Sequence, residues 1–145
     1  MGKIIYTSGT FDLFHIGHLN ILKKSKSLGD KLIVGVSTDE LVASYKQSSP
    51  IVPYTDRMEI IKNLSCVDLV VRQEALFDYK LMNNLEIDVM TIGSDWKDKK
   101  NDNLDHIMNK TDIEVVFFPY TQHVSSTQIK DQIKGGTWQE DKEKS

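Results

Sequence analysis

Apolar residues in this chain fall into short runs separated by polar, turn-forming segments. Ile4-Ile5-Tyr6-Thr7 reads as a buried strand. Leu19, Leu22 and Leu28 then recur at helical spacing, which predicts an amphipathic helix with Gly29 placed to end it. Lys31 to Ser37 is a continuous apolar run, the pattern of a strand buried on both faces. Ser37-Thr38-Asp39-Glu40 predicts the cap of a short helix. Residues 44–56 are polar and carry Pro50 and Pro53, so a loop is expected there, long enough to serve function. Asp56 is placed to cap a helix holding Arg57, Ile60, Ile61 and Leu64. Val67 to Val71 and Asp88 to Ile92 predict two more strands, with a helix between them over Phe77 to Leu85. The segment from Lys97 to Asp105 is densely charged and expected at the surface, with a short helix over 104–109. Glu114 to Phe118 is the last strand, and Ser125-Ser126-Thr127 opens a final helix through Lys134. Gly135-Gly136 stops that helix, and residues 135–145 read as a charged, mobile tail.

Strands that alternate with helices predict an α/β fold, a single Rossmann-like doubly wound domain over residues 1–134. Its five-stranded sheet is expected to be mainly parallel. Such sheets bind ligands at the carboxyl ends of their strands, where the strand order reverses. Thr10 to His18, Asp39, Gly93 to Trp96 and Thr121 to Thr127 all follow predicted strands, so the polar residues converge on one edge.

Composition narrows the function. A chain of 145 residues is most simply one domain with a real core. A formal charge of −3 argues against a nucleic-acid-binding face, so an anionic substrate must meet a local basic pocket. A single cysteine, Cys66 between Ser65 and Val67, excludes an internal disulfide and a cysteine-rich zinc site. No apolar run approaches membrane-spanning length, and no signal-peptide core precedes the first strand, which points to the cytoplasm and away from a membrane partner.

The candidate chemistry lies in Thr10-Phe11-Asp12-Leu13-Phe14-His15-Ile16-Gly17-His18, just after Gly9. A strand, a glycine-bearing turn and a helix N-terminus form a ready anion site, because the first N–H groups of a helix lack internal partners. Two histidines three residues apart can face one bound anion there. Their spacing would also permit a metal, but no further His or Cys at ligand spacing lies nearby, and zinc is discounted. Asp12 either caps the turn, or orders the loop or helps hold a metal.

The stretch resembles the T-x-D-x-x-H-x-G-H motif of the nucleotidylyltransferase superfamily. With Phe11, Leu13 and Phe14 in these places it is similar to the glycerol-3-phosphate cytidylyltransferase family. The resemblance runs to about Lys134. It implies transfer of CMP from CTP to a small phosphorylated alcohol, glycerol 3-phosphate first, with Mg2+ carried by the CTP and no protein-held metal. Phosphocholine, phosphoethanolamine, other polyol phosphates or ATP in place of CTP are the alternatives, with a non-catalytic nucleotide sensor behind them. A homodimer and a role in envelope polymer assembly are implied by the family alone.

By the same resemblance, His15 and His18 stabilise the pentavalent phosphorus and the leaving oxygens, and Gly9, Thr10 and Phe11 join them around the nucleotide. Lys46 closes over the phosphates; without the resemblance it reads as a surface lysine. Arg57 grips the acceptor phosphate through its planar fork, with Asp12 and Asp39 beside it; the bland alternative is a helix-surface arginine. Gly93, Asp95 and Trp96 match a G-x-D-W element that shapes the cytidine pocket, although Trp96 also reads as a core residue. Thr121, Ser125, Ser126 and Thr127 hold the outer phosphates. Here the match loosens: Tyr120 stands where the family carries an arginine, and Gln122-His123 where it carries Glu-Gly. His123 is a partial substitute for the lost cation.

Overall fold

The protein is described by a computed structural model covering residues 2–121 and 124–135. The expectations for Gln122, His123 and the tail from Gly136 onward lie outside the described residues. Five strands, β1 (Ile4–Gly9), β2 (Lys31–Ser37), β3 (Leu69–Gln73), β4 (Val89–Gly93) and β5 (Glu114–Phe118), form one sheet. Their order is β3-β2-β1-β4-β5, and every pairing is parallel. The sheet is therefore parallel throughout. The helices are α1 (Ile16–Lys26), α2 (Asp39–Lys46), α3 (Tyr54–Lys62), α4 (Tyr79–Asn84), α5 (Asp102–Lys110) and α6 (Ser126–Gly135), with a 3-10 turn over Ser94–Asp98.

Alternation along the strands splits the core in two. Ile5, Leu32, Val34 and Val36 face one side and pack with Leu22 of α1 and Ile61 of α3. Tyr6 and Ile33 face the other and pack with Met82 of α4 and Leu104 and Ile107 of α5. Each face of the sheet is thus covered by helices, as parallel sheets require. The chain builds β1, β2 and β3 outward, then returns across β1 to place β4 on its other side. The strand order reverses between β1 and β4, and the ends of these two strands are where a ligand crevice is expected.

Several expected boundaries shift. The loop anticipated over 44–56 shrinks to 47–53, because α2 runs on to Lys46 and α3 starts at Tyr54. Pro53 is the N-cap of α3, with φ −65° already suited to a helix entrance, so Asp56 lies in the first turn and is not the cap. Gly29 lies three residues beyond α1 rather than ending it, and a Cβ there would strike the Lys3 carbonyl. The helix expected over 104–109 begins at Asp102, with Asn101 accepting a hydrogen bond from Leu104 N–H as its cap.

Candidate active site

The carboxyl ends of β1 and β4 open into a cavity of about 600 Å³, within the range of small-molecule sites. Of the residues singled out from sequence, Gly9, Thr10, Phe11, Asp12, His15, His18 and Lys46 line it. Gly93, Thr121, Ser125, Ser126 and Thr127 line it as well. Asp39, Arg57, Asp95 and Trp96 do not.

The histidines are fixed by the backbone that carries them. His15 is the N-cap of α1, and its Nδ1 accepts from Gly17 N–H at 3.0 Å. His18 Nδ1 accepts from His15 N–H at 3.2 Å, closing a reciprocal cap. Gly17 is required because a Cβ there would fall on the His15 ring. The two rings stack with centroids 3.8 Å apart. With both Nδ1 atoms accepting, each neutral ring carries its proton on Nε2. His15 Nε2 is covered and has no partner among the described residues, an unspent donor on a cavity-lining side chain. Burial lowers the pKa of His15. Burial first, and then the facing His15, lowers that of His18 to about 3. Both rings are therefore neutral donors in the free protein at pH 7.

Asp12 orders the loop; it does not face the cavity as a free carboxylate. Its Oδ2 and Oδ1 accept from Ile51 N–H and Val52 N–H, both at 2.9 Å. Lys130 of α6 adds an ion pair at 3.2 Å to Oδ2. Burial alone would raise its pKa, but these hydrogen bonds outweigh burial and hold it below the ordinary carboxylate value. Its main-chain carbonyl accepts from the Ser126 hydroxyl. The motif loop, the 47–53 loop and α6 are thus tied at one residue. Phe11 and Leu13, on either side of Asp12, both adopt left-handed backbone, with φ of 56° and 51°, so the motif turn stores strain.

Arg57 departs furthest from expectation. It is 1% exposed. Its Nε donates to Val52 O at 2.8 Å, and one terminal nitrogen donates to Thr10 O at 2.7 Å and Ser37 O at 2.8 Å. The other terminal nitrogen donates to Asp39 Oδ1 at 2.6 Å. Four of five N–H groups are committed to the protein, so no fork is left for a phosphate in this arrangement. Asp39 Oδ2 meanwhile accepts from Tyr54 N–H at the start of α3. The pair expected at the acceptor acts here as a strut under the motif loop.

Trp96 packs edge-on against Phe77 with centroids 4.8 Å apart, and Lys99 covers its face. It takes the core role rather than walling the cavity. Asp95 pairs with Lys99 at 3.0 Å. Thr121 is held to α1 by Asn20, whose amide donates to its hydroxyl at 3.1 Å. Ser125 caps α6 by accepting from Gln128 N–H at 3.0 Å.

The family model described as cytidylyltransferase-like matches residues 6–132, nearly the whole described chain. The chain belongs to the cytidylyltransferase-like family. It is accordingly a nucleotidyltransferase. It is 38% identical over 135 residues to a glycerol-3-phosphate cytidylyltransferase of Bacillus subtilis (strain 168), covering 92% of this chain and 98% of that one. It is 43% identical over 99 residues to the bifunctional protein HldE of Helicobacter pylori (strain P12), but matches only 22% of that longer protein. Among solved structures it is similar to a lipopolysaccharide core biosynthesis protein of Thermoplasma volcanium GSS1. That likeness has a TM-score of 0.71 at 26% identity, over 84% of this chain and all of the other.

The structure also brings to the cavity residues that the sequence did not single out. Lys130 and Lys134 line the cavity from α6 on the same face as Thr127. Their spacing, Thr127, Lys130 and Lys134, is one helical stripe and was visible in the sequence. Lys130 and Asp12 both lie close enough to Lys46 to act on it. Desolvation first, and then the positive charge of Lys130, lowers the pKa of Lys46, with Asp12 opposing. Tyr120 lines the cavity too, bringing an aromatic ring to the position where a cation was missed.

Proposed function

We propose that this nucleotidyltransferase moves CMP from CTP to a small phosphorylated alcohol, glycerol 3-phosphate first among the candidates, giving a CDP-alcohol and pyrophosphate. The observation that carries it is the histidine pair. Two imidazoles, locked by backbone N–H groups as neutral Nε2–H donors, stand in a cavity that lysines and a helix N-terminus make positive. Similarity to glycerol-3-phosphate cytidylyltransferase along nearly the full length of both chains supports the choice of acceptor.

In the reaction, an oxygen of the acceptor phosphate bonds to the α-phosphorus of CTP. The bond from that phosphorus to the bridging oxygen of the β-phosphate breaks, and pyrophosphate leaves with the electron pair. The protein's share is alignment and charge stabilisation. His15 and His18 donate to oxygens of the α-phosphate and the leaving group. Lys46, Lys130 and the hydroxyls of Ser125, Ser126 and Thr127 receive the outer phosphates. Thr10 and Gly9 border the α-phosphate, and Arg57 with Asp39 holds the Thr10 carbonyl from beneath. Mg2+ enters as part of the substrate, bound to the triphosphate.

The test is a matrix of CTP and ATP against glycerol 3-phosphate, phosphocholine, phosphoethanolamine and sugar phosphates, with products identified by mass. CDP-glycerol and pyrophosphate are expected. Product with ATP alone would overturn the nucleotide assignment, and product with another acceptor alone would overturn the acceptor. CTP binding without turnover would make the protein a nucleotide sensor. No described helix is long and apolar enough to cross a membrane. We place the reaction in the cytoplasm and the chain in a homodimer, which sedimentation would check.

A further inference from the structure

The cavity has two chemically different ends. His15, His18, Lys46, Lys130 and the start of α6 suit phosphate. The other end, beyond β4, is bounded by Gly93 and Tyr120. Gly93 pairs with Phe118 across β4 and β5, so Tyr120 lies two residues past that rung. A Cβ at Gly93 would run into the phenol hydroxyl, so the tyrosine sits directly on the glycine. The same Cβ would also meet the Asp95 carboxylate, which pairs with Lys99. Burial first, and then the nearby Asp95 carboxylate, pushes the phenol pKa up, so the hydroxyl stays neutral at working pH.

We propose that Tyr120 determines which nucleobase this site accepts, its ring filling the space over Gly93 that the second ring of a purine would occupy. The chain path two residues past the Gly93–Phe118 rung brings the ring to that place. The inference rests on the reading that the cavity takes CTP. A cytosine has one ring and an adenine two, and the phenol removed in Tyr120→Ala is about one ring in size. Selectivity at this end is thus steric.

The test is pyrophosphate release at varied CTP and at varied ATP, with saturating glycerol 3-phosphate, for the wild type, Tyr120→Phe and Tyr120→Ala. The wild type is expected to favour CTP. Tyr120→Ala should lower the ratio of kcat/KM for CTP over ATP by roughly tenfold or more, the size of effect that a ring-sized steric change produces in a pocket. Tyr120→Phe keeps the ring and should hold the ratio within about threefold of wild type. Tyr120→Ser replaces the alanine variant if that one does not fold. A CTP-selective wild type whose ratio is unmoved by loss of the ring refutes the role of Tyr120 and leaves the CTP reading standing. Relaxation in Tyr120→Phe equal to that in Tyr120→Ala also refutes it, since the ring would not be the excluding body. A wild type that prefers ATP, or turns over neither nucleotide, refutes the CTP reading and with it the exclusion of a purine.

Discussion

Acid should destabilise this protein through His18 well before its carboxylates titrate. The folded pKa is lowered to about 3 by burial and by the stacked His15 ring. In the unfolded chain the ordinary value is about 6.5. Between these values the unfolded state holds a proton on residue 18 that the folded state does not. Stability therefore rises with pH across this window: it is fully present above about 6.5 and falls as pH drops toward 3. From pH 7 to pH 5 the linkage integral for one such group is about 2 kcal/mol. Partial exposure of the ring trims this to about 1–2 kcal/mol. Asp12 also has a lowered pKa and so loses stability with acid, but only as pH falls through the carboxylate range below 5. His18→Asn is the matching perturbation. The asparagine oxygen can replace Nδ1 as acceptor for His15 N–H, while nothing at position 18 can titrate. Urea unfolding at pH 7 and pH 5 would give the loss for each protein, and the other histidines are common to both. The wild type should lose about 1–2 kcal/mol more than the variant. Equal losses would mean that the folded ring takes up its proton as readily as the unfolded one, and that the picture of two neutral stacked donors is wrong.

Three further outcomes follow. His15→Asn keeps an acceptor for Gly17 N–H but removes Nε2–H, so kcat should fall roughly 10²-fold or more with little loss of melting temperature; near-normal pyrophosphate release would exclude His15 from the chemistry. Arg57→Lys strands at least two of the three carbonyls it serves, which should cost about 3 kcal/mol and lower Tm by about 10 °C; an unchanged melt with a raised acceptor KM would return it to the phosphate. Asp12→Asn puts an amide against the donors from Ile51, Val52 and Lys130, so limited proteolysis should cut the 47–53 loop faster, and unaltered cleavage would count against its ordering role.

The sheet was legible because its strands are short apolar runs bounded by turn residues, and parallel strands buried on both faces leave little else for such runs to be. Where boundaries slipped, tertiary partners outweighed local pattern. The third strand reads as ending at Val71 because Arg72 and Gln73 are polar, yet β3 continues through Gln73. Gln73 is 1% exposed, and its burial is offset by the Tyr6 hydroxyl, which donates to its side-chain oxygen at 2.7 Å. A partner 67 residues away in sequence leaves no trace in a local window. The histidine pair was legible because its chemistry and its capping geometry both depend on residue type. The duties of Arg57 and Asp12 were not, since their partners are main-chain carbonyls and amides, which any residue can supply. Tyr120 over Gly93 depends on the β4 to β5 register, which becomes visible only once the sheet is assembled.

Cations in this protein separate by what already satisfies them. Arg57 is buried and saturated, with its charge met by Asp39 and its donors by three carbonyls. It gains nothing from an anionic ligand and would have to abandon the motif loop to reach one. Lys46 and Lys130 are in the opposite condition. Lys130 pairs with Asp12, a carboxylate already accepting from two backbone N–H groups, and its charge makes Lys46 harder to charge. A polyanion arriving between them relieves that repulsion as well as pairing with both charges. Because the chain as a whole carries −3, this positive region is local, and a singly charged ligand would exploit little of it. The arrangement favours a ligand whose charge is concentrated in several adjacent phosphates, close to two neutral histidine donors that take no share of that charge themselves.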